Sequence, residues 1–87
     1  MFAKTLLKAD GTEETLARKL TLEEAQKLVG GYIEFVRMTD DALCLVVNEE
    51  GLILNLLLNH KATRLVHRSI LHSGIRGNAI VVTRKSL

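Results

Sequence analysis

The stretch TLEEAQKLVGGYIEFVRMTDDALCLVVN, residues 21–48, decides the fold because it joins one helix to two strands. Thr21 and Glu24 have the spacing of a capping box, in which each side chain accepts a hydrogen bond from the other residue's backbone N–H. Apolar residues follow at helical spacing, and Gly30 predicts the helix end because glycine adopts the left-handed conformation there without strain. A short helix is therefore predicted between Thr21 and Gly30.

The second part of the stretch predicts strands. Residues 32–38 are strand-like, residues 39–41 form a turn, and residues 43–48 are rich in Leu and Val, as expected of a central strand. The sequence Asn-Glu-Glu-Gly at 48–51 predicts a second hairpin turn, with residues 52–56 as the returning strand.

Outside this stretch the pattern predicts another hairpin, a second helix and a last strand. The pair Asp10-Gly11 lies between candidate strands at 2–8 and 12–20. Asn59 can cap a second helix, and residues 79–84 indicate a final strand. The predicted order is β-β-α-β-β-β-α-β. We therefore expect a single α+β domain over residues 1–87, with a mostly antiparallel sheet of about four to six strands and two helices packed on one face.

Length and composition fit one small ordered domain. The chain has 87 residues, of which 47% are hydrophobic and 25% charged, and a chain this short often needs a partner subunit for stability. Its one cysteine, Cys44, cannot form an internal disulfide, which suits a reducing compartment. The first residues lack the pattern of a signal peptide, and the longest apolar run is too short to span a bilayer. We expect a cytoplasmic protein.

Charge is divided unevenly along the chain. Residues 1–50 hold six Lys or Arg and all ten acidic residues, whereas residues 51–87 hold six Lys or Arg and no acid, so the net charges are −4 and +6. Lys61, Arg64 and Arg68 lie on one side of the predicted second helix and form a candidate basic face. The asymmetry indicates either an anionic partner, nucleic acid included, or attraction between the two halves. The three aromatic residues lie outside the basic half, which therefore lacks stacking side chains for single-stranded nucleic acid.

The sequence lacks the patterns of common catalytic and metal sites. Cys44 lies in an apolar strand, where a thiol behaves as an inert hydrophobe, and the paired carboxylates fall at predicted turns, caps or a solvated strand. The glycine-containing loop at 74–78 has no phosphate-loop lysine, so Arg76 and Asn78 are left as candidates to hold an anion or polar group. Three histidines have spacings that do not suit one zinc ion: His60, His67 and His72. We expect no enzymatic activity, no cofactor and no metal site.

Four short segments occur in a characteristic order: YIE at 32–34, LVVNEEG at 45–51, NHKAT at 59–63 and GNAIVV at 77–82. Together they resemble a family of small proteins of unknown function encoded by bacteriophages, plasmids and integrative elements. The resemblance implies a mobile-element accessory protein in a bacterial cytoplasm, and it implies no established activity. The chain departs from the family at 52–58, LILNLLL, which lacks the Gly and Pro that members often carry there.

The residues of these segments have two interpretations that the sequence leaves open. As structural residues, Asn48 and Gly51 form a turn, Asn59 caps a helix, and Gly77 permits a tight entry into the last strand. As a binding site, the candidate ligand-binding residues are Tyr32, Glu34, Asn48, Glu49, Asn59, Thr63, Arg64, Arg76 and Asn78.

The segment 52–58 holds six large aliphatic residues in seven positions, which is much for a fold of this size to bury. A contiguous apolar patch usually marks an interface, so we expect a homodimer or higher oligomer, and the competing possibility is that all six residues belong to the core. The expected function is a non-enzymatic binding module for a host protein or a small anionic ligand. The alternative is a nucleic-acid-binding accessory factor that uses the basic C-terminal half.

Overall fold

A computed structural model describes residues 1–67 and 73–87 and contains, in this part of the chain, five strands and two α-helices. The elements in chain order are β1 Phe2–Leu7, β2 Glu13–Lys19, α1 Leu22–Val29, β3 Ile33–Arg37, β4 Leu43–Asn48, α2 His60–Thr63, β5 Ala79–Thr83 and a short 3-10 helix Arg84–Ser86. All neighbouring strands pair antiparallel in the order β2-β1-β5-β4-β3. The predicted α+β class with a mostly antiparallel sheet is confirmed.

The predicted capping box is present at the start of α1. Thr21 Oγ1 accepts a hydrogen bond from the Glu24 N–H at 3.1 Å, and Glu24 Oε1 accepts one from the Thr21 N–H at 3.0 Å. The helix ends at Gly30, whose φ of 80° is left-handed, and the Gly30 N–H donates to the Gln26 carbonyl at 2.8 Å. Both ends of α1 therefore follow from short local patterns.

The first hairpin is also confirmed, and it closes at Asp10-Gly11. The Lys8 N–H donates to the Thr12 carbonyl at 2.9 Å, and Gly11 has a φ of 94°, a conformation that favours glycine. This hairpin places β2 at one edge of the sheet, because β1 continues inward to pair with β5.

The prediction that both helices pack on one face of the sheet is wrong. Successive residues of a strand point to opposite faces, and β4 lies inside the sheet with a strand on each side. Val46 belongs to the buried cluster that contains Ala25 of α1, whereas Val47 belongs to the cluster that contains Ala62 of α2. The two helices therefore cover opposite faces, here called the α1 face and the α2 face. Burial on both faces explains why β4 is continuously apolar.

The prediction of a strand at 52–56 is wrong, because the segment forms tight turns instead. The Leu54 N–H donates to the Glu50 carbonyl at 2.8 Å, and Asn55 has a left-handed φ of 52°. A returning strand has no place beside β4, because β3 and β5 already pair with both of its edges. The second hairpin predicted at 48–51 is wrong for the same reason.

The helix α2 begins at the predicted Asn59 cap but is shorter than expected. It ends at Thr63, and Val66 then forms an isolated antiparallel bridge with Met38 at the end of β3. The far end of the predicted helix, including Arg68, lies outside the described residues. Within residues 1–67 and 73–87, no helix combines the length and apolar character needed to cross a membrane.

Candidate functional site

Asn59, one of the candidate binding residues, is a buried connector between three parts of the fold. Only 1% of the surface of this residue is exposed to solvent. Nδ2 donates to the carbonyls of Leu7 and Gly77, both at 2.9 Å, and Oδ1 accepts from the Ala62 N–H at 3.1 Å. The amide therefore caps α2 and joins it to the end of β1 and to the loop before β5.

Asn48 and Asn78 play a related part at the end of α1. The Nδ2 of Asn48 donates to the Val29 carbonyl, and the Nδ2 of Asn78 donates to the Leu28 carbonyl, each at 3.2 Å. Each Oδ1 accepts a backbone N–H from a nearby turn, at 2.8 and 3.1 Å. The last carbonyls of a helix have no partner within the helix, so these two side chains supply tertiary caps for α1.

Thr63 connects α2 to the segment that precedes β5. Its Oγ1 donates to the Asn59 carbonyl at 2.7 Å and accepts from the Ile75 N–H at 2.9 Å. The next residue, Arg64, is exposed at the C-terminal end of α2, and Tyr32 is 68% exposed just before β3. Four candidate residues thus direct their side-chain hydrogen bonds into the fold itself: Asn48, Asn59, Thr63 and Asn78.

The remaining candidates meet in a cleft of about 160 Å³ on the α2 face, lined among others by Glu34, Asn48, Glu49 and Arg76. Glu34 lies on β3 and Glu49 follows β4, and both are exposed. The Nη1 of Arg76 donates to the Leu56 carbonyl at 3.2 Å, and its buried Nε has no hydrogen-bond partner among the described residues. The cleft combines two carboxylates with a guanidinium, a set suited to holding a polar group by hydrogen bonds.

The residue types usually found in catalytic and metal sites lie apart from this cleft. Cys44 is buried with its Sγ 3.4 Å from the Val36 carbonyl, and burial raises the pKa of its thiol, which disfavours the nucleophilic thiolate. His60 and His67 are exposed, and His72 lies outside the described residues. In the described ranges, no group of three His, Cys, Asp or Glu side chains is arranged to hold a metal ion.

The basic residues of the C-terminal half are spread over the molecule. Lys61 Nζ lies 3.2 Å from Glu13 Oε1, so one member of the candidate basic face pairs with the acidic half of the chain. Arg64 is exposed nearby on α2, and Arg68 lies outside the described residues. Arg76 lines the cleft on the α2 face. The acidic and basic halves of the chain therefore interleave in the fold, which agrees with one of the two explanations of the charge asymmetry, attraction between the halves.

Three other cationic side chains meet at the end of the sheet opposite to the cleft. Lys4, Arg84 and Lys85 line an open groove of about 610 Å³, here called the basic groove. Its other lining residues are Asp41, Ala42, Leu43 and Thr83. Charge counts along the chain miss this groove because Lys4 belongs to the acidic half, and the pairing of β1 with β5 brings it to the C-terminal lysine and arginine.

The apolar loop, residues 51–58, presents aliphatic side chains to solvent. The exposed fractions are 59% for Leu52, 81% for Ile53, 53% for Leu54 and 65% for Leu57. The possibility that all six aliphatic residues of this segment belong to the core is therefore wrong. Four of them form an apolar surface at the end of β4, away from the basic groove at the start of β4.

The other side of the apolar loop is fixed against the body of the protein. The Leu56 N–H donates to the Gly51 carbonyl at 2.9 Å, and the Gly77 N–H donates to the Leu57 carbonyl at 2.7 Å. Gly77 has a φ of 83°, and a Cβ at this position would lie 2.8 Å from Leu56 Cδ1. Glycine is thus favoured at position 77 by its left-handed backbone conformation, whereas the contact with the end of the flexible Leu56 side chain can be relieved by a change of rotamer.

Comparison with known proteins identifies a family. The family model described as a domain of unknown function, DUF3846, matches residues 4–86. No curated protein and no solved structure gives a significant match to the chain. The match begins within β1 and spans the other four strands and both helices, and it agrees with the resemblance to a family of unknown function noted in the sequence. The chain therefore belongs to the DUF3846 family.

Proposed function

We propose that this protein is a non-enzymatic binding module, a mobile-element accessory protein of the bacterial cytoplasm that forms a homodimer through the apolar loop. The observation that carries the proposal is the exposure of Leu52, Ile53, Leu54 and Leu57 on a loop that is itself firmly held. The origin and location are supported by the four ordered sequence segments, which resemble proteins encoded by phages, plasmids and integrative elements.

The fixed backbone of the apolar loop favours binding over simple exposure. The Leu54 N–H bonds to the Glu50 carbonyl, and the Asn55 N–H bonds to the Leu52 carbonyl at 3.1 Å. Asn55 occupies the left-handed region, which asparagine tolerates better than most residues. A preorganised surface loses little conformational freedom on association, so more of the hydrophobic gain is retained as affinity.

The size of the patch suits a second copy of the chain. Four aliphatic side chains that are each more than half exposed amount to roughly 400 Å² of apolar surface, which is within the range of the largest apolar patch on a typical monomer, a patch that is often functional. Burying roughly 600 Å² in total from two such patches contributes about 15 kcal/mol of hydrophobic free energy. Association costs about 4–15 kcal/mol, so the hydrophobic gain matches the cost at the upper end of this range and exceeds it at the lower end. A twofold arrangement would place the same loop in both protomers.

Binding, as opposed to catalysis, is supported by how the polar candidates are used. Asn48, Asn59, Thr63 and Asn78 hold the fold together, and Cys44 is buried as a protonated thiol. A dimer joined at the apolar loop leaves the sheet end with the basic groove accessible. The proposed ligand of the module is a small anion or an anionic surface of a host protein.

A nucleic-acid-binding factor is the second candidate. The meeting of Lys4, Arg84 and Lys85 in one groove favours it, because clustered cations attract a phosphate backbone. A continuous basic face on α2 is not favoured, because Lys61 forms an ion pair with Glu13. Retention on heparin and on DNA across a salt series separates the two candidates, since the second predicts strong retention that falls steeply with salt.

Native mass spectrometry of the purified protein tests the proposal. A mass of twice 9.7 kDa is expected for the homodimer, with any bound small molecule seen as an added mass. A species at 9.7 kDa alone would contradict the homodimer. Co-purification of a different protein in place of a second copy would contradict the homodimer and favour a host-protein partner.

A further inference from the structure

We propose that the basic groove binds a small molecule that carries a phosphoryl group. The inference rests on the proposed binding function and gives its anionic ligand a place and a chemical class. The groove is lined by Lys4, Arg84 and Lys85, and it lies at the start of β4, while the apolar loop follows the end of that strand. Ligand binding and dimer formation therefore use separate surfaces and can fail independently.

The cations of the groove are available to a ligand. Within the described residues, neither Lys4, Arg84 nor Lys85 forms an ion pair with a carboxylate. The one acidic residue in the lining, Asp41, has its Oδ1 3.7 Å from Arg37 Nη2, outside the lining set. The groove therefore has an excess of positive charge that a dianion such as a phosphate ester can neutralise.

Arg84 is held in position before any ligand arrives. Its Nη1 donates to the Asp41 carbonyl at 3.1 Å, and its backbone N–H donates to the Ala42 carbonyl at 3.0 Å. One N–H of the guanidinium is thus bonded to the turn between β3 and β4, and among the described residues its other N–H groups have no hydrogen-bond partner. A planar fork of this kind is well matched to phosphate oxygens.

Lys4 reaches the groove through a local break in the sheet. Ala3 pairs with Val82 and Thr5 pairs with Val81, so Lys4 is an extra residue in β1, with no partner in β5. A β-bulge of this kind bends the strand and redirects a side chain, and bulges are frequent beside functional sites. The pairing of β1 with β2 also shifts register at this position, but there the extra residue is in β2, where Leu16 and Ala17 together lie opposite Lys4.

The shape of the groove fits a small molecule better than a polymer. Its volume of about 610 Å³ lies within the range of small-molecule sites. Leu43 and Ala42 provide an apolar wall, and Thr83 provides a hydroxyl beside it, so the ligand is expected to combine a phosphoryl group with a less polar part. The described lining has no aromatic side chain, so it offers no stacking platform for the bases of a single strand.

Isothermal titration calorimetry with inorganic pyrophosphate tests the inference, with a short single-stranded oligonucleotide as a second titrant. The double variant Lys4→Gln, Lys85→Gln should weaken pyrophosphate binding by about tenfold or more, because each substitution removes a charged hydrogen bond between a lysine and the anion. The matched control is Lys8→Gln, Lys27→Gln, which removes the same charge at the other end of the sheet and should leave the affinity within about twofold. The urea midpoints of both variants verify that each is folded.

Three results would overturn the inference: no pyrophosphate binding by the wild-type protein, equal weakening in both double variants, or tighter binding of the oligonucleotide than of pyrophosphate. The last result would support the nucleic-acid candidate. A monomeric Leu54→Asp variant should bind pyrophosphate as the wild type does. A wild-type protein that is monomeric yet binds pyrophosphate would count against the apolar loop alone, and a dimeric wild type that does not bind pyrophosphate would count against the groove alone.

Discussion

Replacing Asn59 by alanine should destabilise the protein by about 3 kcal/mol. The side chain caps α2, a contribution of about 1 kcal/mol. It also satisfies the carbonyls of Leu7 and Gly77, and removing the donor from each buried carbonyl costs about 1 kcal/mol at the low end. A domain of 87 residues typically has a free energy of unfolding of about 4–13 kcal/mol, so the loss is a large share of the total.

Urea unfolding followed by circular dichroism measures this loss. With a slope of about 1.3 kcal/mol per molar urea for a small domain, the midpoint should fall by about 2 M. The companion variant Asn59→Asp keeps an oxygen for the Ala62 N–H but turns acceptors toward both carbonyls, so it should be at least as unstable as the alanine variant. A loss below about 1 kcal/mol in Asn59→Ala, or wild-type stability in Asn59→Asp, would refute the structural role and return Asn59 to the list of binding residues.

Three further predictions concern local structure. Thr21→Ala should lower the free energy of unfolding by about 1 kcal/mol through loss of the N-cap, and a urea curve unchanged from wild type would mean that α1 begins elsewhere. The Thr21 N–H and Arg18 hold the pKa of Glu24 below its usual 4.5, so its contribution to stability is present above about pH 4.5 and is lost as the pH falls through the lower folded value. Glu24→Gln should therefore flatten this acidic part of the stability–pH profile, and an unaltered profile would contradict the assignment. Ala17 has a left-handed φ of 48°, so Ala17→Gly should raise the thermal midpoint, with a gain of about 0.5 kcal/mol, whereas a lower midpoint would show that the backbone there is not strained.

The features that were predictable from the sequence depend on neighbouring residues. The capping box of Thr21, the left-handed Gly30 and the Asp10-Gly11 turn each require contacts within a few positions, so a short pattern suffices to predict them. The same holds for the cap at Asn59, whose Oδ1 accepts from a backbone N–H three residues further on. The other two bonds of this side chain join segments far apart in the chain, and no local pattern indicates them.

The wrong predictions concern features that depend on pairing between strands far apart in the chain. The segment 52–56 has a strand-like composition, but whether it can pair depends on β5 occupying the free edge of β4. Burial of β4 on both faces likewise follows from the sheet order and places the helices on opposite sides. The basic groove depends on Lys4 meeting Arg84 across the β1–β5 pair, an encounter of residues eighty positions apart in the chain.

Sedimentation equilibrium at micromolar concentration tests most directly the central claim that the apolar loop is an association surface. The wild type should sediment as a dimer of twice 9.7 kDa, and Leu54→Asp should sediment at 9.7 kDa. Leu22→Asp is the matched control, because Leu22 is 54% exposed on α1 and Leu54 is 53% exposed on the loop. The account predicts that the control remains a dimer. A wild type that sediments as a monomer, or a Leu22→Asp variant that dissociates as fully as Leu54→Asp, would contradict it.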